Sequence, residues 1–242
     1  MSGALAVLAT TYASAAAGGP ASGYTGWYTP LSIQETAGIV TAWNDVSGNG
    51  YHFGTAHSSP LYQASAINGE AGVRFINASG TYLSSTATLG NLVSAAAYTI
   101  YAVYIFSGYN GGGSGFNLSA GVYSDSGLIL GQGVTNLGGA GISCGHYDGA
   151  YESQPATVGT NVAVISEVAY DGVHIFLRVN GSTIGNVAAG NISTTTGTMQ
   201  CGQAFSNLTG YVCELIFYNT NLSGGNKATT RSYLGTKYAG SG

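Results

Sequence analysis

Residues 169–185 read AYDGVHIFLRVNGSTIG, a stretch in which two turn signals bracket a run of period two. Asp171-Gly172 and Asn180-Gly181 are dipeptides that favour the positive-φ geometry of tight hairpin turns. Between them Val173, Ile175, Leu177 and Val179 alternate with His174, Phe176, Arg178 and Asn180, the pattern of a strand with one buried face. The stretch therefore reads as a hairpin, and Ser182 to Val187 can start the next strand.

The same signature extends in both directions. YTIYAVYIF at 98–106 is dense in β-branched and aromatic residues, which suit a strand buried on at least one face. SGLILG at 126–131 and NVAVISEVAY at 161–170 are short apolar runs bounded by turn residues. In YVCELIFYN at 211–219, simple alternation places Val212, Glu214, Ile216 and Tyr218 on one face and Cys213, Leu215 and Phe217 on the other. Roughly twelve such strands, joined by Gly-rich turns and lacking any long internal repeat, predict an all-β sandwich. The tail is the exception. Ser223 can cap a short helix over residues 224–238, in which Tyr233, Leu234 and Tyr238 share a face, although Gly224 and Gly225 weaken it.

Composition limits the partners. The 242 residues suit one large domain, 45% of them hydrophobic but only 6% charged, against about 25% in an ordinary soluble domain. With 40 Gly and 18 Tyr, the surface must be polar through hydroxyls and amides rather than ions, as in oligomers and adhesive layers. The net charge is −4, and the five basic residues are Arg74, Arg178, Lys227, Arg231 and Lys237. So few cations cannot neutralise a run of phosphates or hold an amphipathic helix on a membrane, so neither nucleic acid nor membrane is expected as a partner.

Residues 2–19, SGALAVLATTYASAAAGG, are small and apolar, but no Lys or Arg follows Met1 and Thr10-Thr11-Tyr12 interrupts the run. This favours a retained N-terminal arm, residues 1–22, lying against a neighbouring subunit and preceding a domain at 23–242. A cleaved signal ending near Ala13-Ser14-Ala15 is the alternative. Cys144, Cys201 and Cys213 cannot all pair within one chain and form no Cys-x-x-Cys. They read as small buried hydrophobes, with a Cys201–Cys213 bridge as the alternative. His52, His57, His146 and His174 lack a metal-ligand spacing, so no metal and no cofactor is implied.

TAWNDVSGNGYHF at 41–53 has the look of a functional loop, yet each residue has a structural explanation. Trp43 ends a strand and buries its ring, Asn44 and Asp45 accept turn amides, and Gly48 and Gly50 supply positive φ. Asp45 and Asn49 as calcium ligands are the alternative.

The succession WNDVSGNG at 43–50, NGEAGVRF at 68–75 with Tyr82-Leu83, then YTIYAVYIF, resembles the concanavalin A-like lectin/glucanase superfamily. More narrowly it is similar to the laminin-G-like jelly-roll modules of bacteriophage structural and bacterial surface proteins. The 169–185 hairpin and the ending YVCELIFYNTNLS with its helix extend the resemblance over about residues 24–239. It implies a two-sheet antiparallel jelly-roll sandwich with a short C-terminal helix.

Glucanases of that architecture carry a Glu-x-Asp-x-Glu arrangement on one strand, because alternate residues point into one cleft and glycoside hydrolysis needs a carboxyl pair. Here Glu35, Asp45, Glu70, Asp125, Asp148, Glu152, Glu167, Asp171 and Glu214 include no two acids two residues apart. The nearest pairs are Asp148 with Glu152, in a Gly-flanked loop, and Glu167 with Asp171 across a turn. No enzyme and no catalytic residue is expected. The Tyr-, Asn- and Gly-rich loops at 107–117 and 145–152 suit sugars, since rings stack on pyranose faces while amides and carboxylates bond hydroxyls. The expected carbohydrate-binding residues are Tyr109, Asn110, Tyr147, Asp148 and Tyr151.

The reading is a non-enzymatic virion structural protein, either a capsid decoration protein or head fibre, or a tail component. Its expected partners are other virion proteins and copies of itself, with cell-surface polysaccharide as a further ligand. A stand-alone secreted lectin is the alternative, and a jelly-roll glycoside hydrolase comes third.

Overall fold

Two nine-residue strands, Tyr98–Phe106 and Gly210–Tyr218, lie antiparallel at the centre of the protein and are buried on both faces along nearly their whole length. In this computed structural model the described residues are 18–107, 119–120, 128–132, 142–148, 151–193, 196–202 and 209–238. In chain order they form β1 (Gly26–Tyr28), β2 (Ile33–Thr36), β3 (Ile39–Trp43), β4 (Thr55–His57), β5 (Leu61–Ile67), β6 (Glu70–Phe75) and β7 (Tyr82–Thr88). The single-turn α1 (Leu89–Leu92) precedes β8 (Tyr98–Phe106), β9 (Ser119–Ala120), β10 (Leu128–Gln132), β11 (Ile142–Tyr147) and β12 (Tyr151–Ala156). Then come β13 (Ala163–Tyr170), β14 (His174–Val179), β15 (Ser182–Ala188), β16 (Thr198–Cys201), β17 (Gly210–Tyr218) and α2 (Gly224–Tyr238).

The large sheet runs β15-β14-β13-β8-β17-β6-β5-β3-β2, with β1 alongside β17 beyond the end of β6. Two smaller sheets, β4-β7-β16-β9 and β10-β11-β12, make the opposite layer, β9 lying beside β10. All pairings are antiparallel, and the architecture is the expected jelly-roll sandwich. Between the layers, Trp43, Phe53, Phe75, Leu83, Ile100, Met199 and Phe217 belong to one continuous core. A second core lies on the outer face of the large sheet, where Tyr101, Val103, Ile216 and Tyr218 meet Tyr233, Leu234 and Tyr238 of α2.

The 169–185 hairpin forms as read. Asp171 Oδ1 accepts the amides of Val173 and His174 at 2.9 and 2.7 Å, and Asn180 and Gly181 both have positive φ. Helix α2 covers the expected residues, with the Ser223 hydroxyl accepting the Asn226 amide at 3.3 Å as a cap. The 41–53 turn is also structural. Asp45 accepts the amides of Trp27, Ser47 and Tyr51 and the Ser47 hydroxyl, while Gly48 and Gly50 have φ of 92° and 76°. These four donors occupy both Asp45 oxygens, and Asn49 turns its amide nitrogen to the Thr25 carbonyl.

Two expectations need correction. The described residues contain seventeen strands rather than about twelve, because strands of two to four residues such as β1, β4, β9 and β16 are too short to carry a period. The alternation in β17 also breaks. Val212 pairs with Tyr104 and Glu214 with Val103, leaving Cys213 as an extra residue in a bulge. Val212 therefore joins Leu215 and Phe217 between the layers, while Cys213 lies with Ile216 and Tyr218 under α2. Cys201 is in the inner core and Cys213 in the outer one, so the sheet separates them; none of the three cysteines is in a disulfide, and all are buried.

The bulge aims Glu214 at α2. Its side chain is fully buried, and its carboxylate accepts four bonds: Trp27 Nε1 at 2.7 Å and Tyr233 hydroxyl at 2.8 Å on Oε1, Tyr238 hydroxyl at 2.7 Å and Lys237 Nζ at 2.9 Å on Oε2. An unpaired carboxylate here would be prohibitive, and these donors replace its lost hydration. The N-terminal segment joins the same layer, with the Ala21 amide bonded to Thr230 Oγ1 and its carbonyl to the Tyr218 hydroxyl.

Two stability predictions follow from this packing. Glu214→Gln should lower unfolding free energy by about 3 kcal/mol in urea titration, since Lys237 would lose its buried counter-charge. Gly210 pairs with both Phe75 and Phe106, and a Cβ there would overlap the Ile105 carbonyl, which is backbone and cannot swing away. Gly210→Ala should therefore cost roughly 3 kcal/mol or more by the same measurement, as an overpacked site does.

Candidate binding groove

Strand β13 carries its odd-numbered residues on the outer face of the large sheet, so Ala163, Ile165 and Glu167 form a floor together with Tyr101 of β8. Helix α2 crosses this face and contributes Arg231, Gly235 and Tyr238 as one wall. The β14–β15 turn contributes Arg178, Asn180 and Gly181 as the other. The groove between them has a volume of about 350 Å³, within the range of small-ligand sites.

Its polar groups are ordered from below. Arg231 binds Glu167 through two parallel bonds, Nε to Oε2 at 2.6 Å and Nη2 to Oε1 at 2.7 Å. This pairing holds Arg231 even more firmly protonated than usual. Arg178 is held by its own hairpin, Nη1 donating to the Gly181 carbonyl at 2.6 Å and Nη2 to Thr183 Oγ1 at 2.8 Å. Asn180 is taken up by the backbone, accepting from the Ile165 amide and donating to the Ala163 carbonyl. The Tyr101 hydroxyl is buried beside the Glu167 carboxylate and makes no hydrogen bond of ordinary geometry among the described residues. Burial first, and then the charge of Glu167, push this phenol far above its ordinary range, so it stays a protonated donor. The groove offers fixed guanidinium and hydroxyl donors. Among the described residues it holds one carboxylate, engaged through both oxygens, and no carboxyl pair of the kind a glycosidase uses.

Of the expected sugar-binding residues, Asp148 is not among those lining this groove. Tyr109 and Asn110 fall outside the described residues. Tyr147 and Tyr151 form the final pair of the β11–β12 hairpin rather than lying in a loop, and Glu152 is within β12. Asp148 follows β11 and accepts the Gly190 amide. Glu167 is bound to Arg231 on the outer face, and Asp171 caps its turn, so neither faces Asp148 as a bonded partner. Among the described residues, no three His, Cys, Asp or Glu gather as a metal site. Sequence reasoning missed the groove residues Tyr101, Arg178 and Arg231 as a set. The alternation that turned Arg178 away from the core was the one available signal.

A buried histidine supports the hairpin end. His146 Nε2 meets the Gly190 carbonyl at 2.8 Å, an acceptor only, so Nε2 carries the proton and Nδ1 accepts from the Tyr98 hydroxyl at 3.1 Å. Tyr170, whose ring stands edge-on to His146, bonds the Ala189 carbonyl and Asn191 Oδ1.

No known family model matches the chain, and no curated protein matches it in sequence. Its fold is similar to that of several solved structures. Domain 4 of AbnA, a GH43 extracellular arabinanase from Geobacillus stearothermophilus in complex with arabinotriose, aligns with a TM-score of 0.63 at 12% identity, covering 87% of this chain and 98% of that one. A botulinum neurotoxin type C structure, described in terms of cell entry that depends on two ganglioside molecules, aligns at 0.58 and 11% identity, covering 86% of this chain and 51% of that one. Trypanosoma rangeli sialidase in complex with sialic acid aligns at 0.59 and 14%, covering 90% of this chain and 34% of that one. The chain thus spans nearly all of the first, about half of the second and about a third of the third, and at these identities the likeness is one of fold.

Burial lowers the His146 pKa from its ordinary 6.5, outweighing the opposite pull of the Gly190 bond and Asp148. The unfolded chain then binds more protons below that value, so the stability from neutral His146 is full above pH 6.5 and falls as the pH drops through it. Melting temperature should decline from pH 7 to 5, and the decline should flatten in His146→Gln.

Proposed function

We propose that this chain is a non-enzymatic glycan-binding jelly-roll module belonging to a larger extracellular assembly, with a virion as the assembly favoured. The observation that carries the glycan reading is the likeness of nearly the whole sandwich to an isolated arabinanase domain that is itself in complex with arabinotriose. The dependence of the similar neurotoxin on gangliosides and the sialidase complex with sialic acid support the same ligand class. Non-catalytic action is supported by the roles of Glu35, Asp45 and Asp171 in turns, of Glu214 in the α2 clamp and of Glu167 in the Arg231 pair.

The assembly reading rests on composition. A chain with only 6% charged residues and abundant hydroxyls and amides suits repeated subunit contacts, and capsid decoration or a tail position both fit it. A stand-alone lectin shares the glycan ligand but has no need of other subunits.

A glycan panel on the purified chain should return at least one oligosaccharide bound without hydrolysis, and product release would contradict the non-enzymatic reading. Deleting residues 1–17, which spares the Ala21 bonds to α2 and β17, separates the two assembly readings. Sugar affinity should be unchanged, while the oligomer mass by light scattering should fall. A monomer of unchanged mass in both forms would favour the free lectin.

A further inference from the structure

The five basic residues of this acidic chain are unevenly placed. Lys237 is consumed by Glu214, and Lys227 is bonded to Asn221 Oδ1 at 2.7 Å. Arg178 and Arg231 both line the groove beside α2, against the single carboxylate of Glu167. The groove therefore carries a formal excess of one positive charge in a protein whose net charge is −4. Arg178 stands opposite Glu167 in the β13–β14 register, yet among the described residues no carboxylate lies within 4 Å of it. Two of its five N–H groups are spent on its own hairpin, which fixes the fork and leaves three donors free.

A second observation comes from the floor. Tyr101 is only 1% exposed and forms part of the groove floor, and its buried hydroxyl, beside the Glu167 carboxylate, makes no hydrogen bond of ordinary geometry among the described residues. An unpaired buried hydroxyl costs free energy unless a ligand satisfies it.

We propose that this groove binds a carboxylate-bearing sugar unit of the hexuronate type, its carboxylate on Arg178 and the outer N–H groups of Arg231, and one of its hydroxyls on Tyr101. This assignment rests on the glycan reading above and narrows it to acidic saccharides. The ligand's negative charge cancels the groove's excess, while Glu167, already saturated by Arg231, orients that guanidinium instead of competing for it. The Tyr238 and Gly235 wall leaves room beside the arginines for the sugar ring.

The test is calorimetric titration of the full chain with three probes: an oligouronate, a neutral hexose oligomer of equal length, and inorganic phosphate. The oligouronate should bind at least about tenfold more tightly than the neutral oligomer, the worth of one charge-assisted bond, and phosphate should not compete. Arg178→Gln should abolish that preference with only a small drop in melting temperature, since among the described residues Arg178 makes no ion pair and bonds only to its own exposed hairpin. Tyr101→Phe should weaken uronate binding several-fold while leaving the preference for uronate in place. Equal binding of neutral and acidic oligomers, unaffected by Arg178→Gln, would overturn the acidic-sugar assignment and leave the glycan reading intact. Phosphate competing as well as uronate would overturn it as a sugar site, and no saccharide binding at all would overturn both.

Discussion

Glu214 is the constraint around which the outer half of the molecule is organised. A carboxylate on the central strand, with no exposure, must be surrounded by donors, and the four it finds come from two distant parts of the chain. Trp27 belongs to β1, while Tyr233, Lys237 and Tyr238 span the last turns of α2. Satisfying this one group therefore sets the position of the helix on the sheet and closes β1 against β17. The cost of breaking such a pair far exceeds what it adds over a well-packed apolar substitute, so its value lies in register. Helix α2 is poorly amphipathic, begins with two glycines and is held by these polar anchors as much as by Leu234 and its neighbouring rings.

The groove is a by-product of that docking. Because α2 is pinned at Tyr238 by Glu214 and at Arg231 by Glu167, it stands off the sheet where β13 and the β14–β15 turn rise beside it. Tyr101 is buried beneath, and the Arg178 fork is braced by its own turn. A rigid sheet with preset donors loses little freedom on binding, which favours recognition of a hydroxyl-rich ligand.

What could be read from sequence was whatever local chemistry decides. The 169–185 hairpin follows from Asp171-Gly172 and Asn180-Gly181, and α2 from the Ser223 cap, because each signal acts within a few residues of its effect. The Asp45 turn was legible for the same reason. The bulge at Cys213 was not, since it arises from β17 pairing with β8 while β6 and β1 share its other edge. The groove was hidden by distance, Arg231 and Glu167 lying 64 positions apart and meeting only after the helix docks. The expectation of a sugar site around Tyr147, Asp148 and Tyr151 drew on composition, and composition identifies aromatic-rich segments without saying which face of the sandwich they occupy.

The location of a bound acidic saccharide tests the account most directly. In a crystal of the full chain grown with an oligouronate, the sugar should lie in the groove between α2 and the β14–β15 turn, its carboxylate on Arg178 and a hydroxyl within hydrogen-bond distance of Tyr101. A sugar seated instead at the β11–β12 hairpin end, with the groove empty in the same crystal, would contradict it.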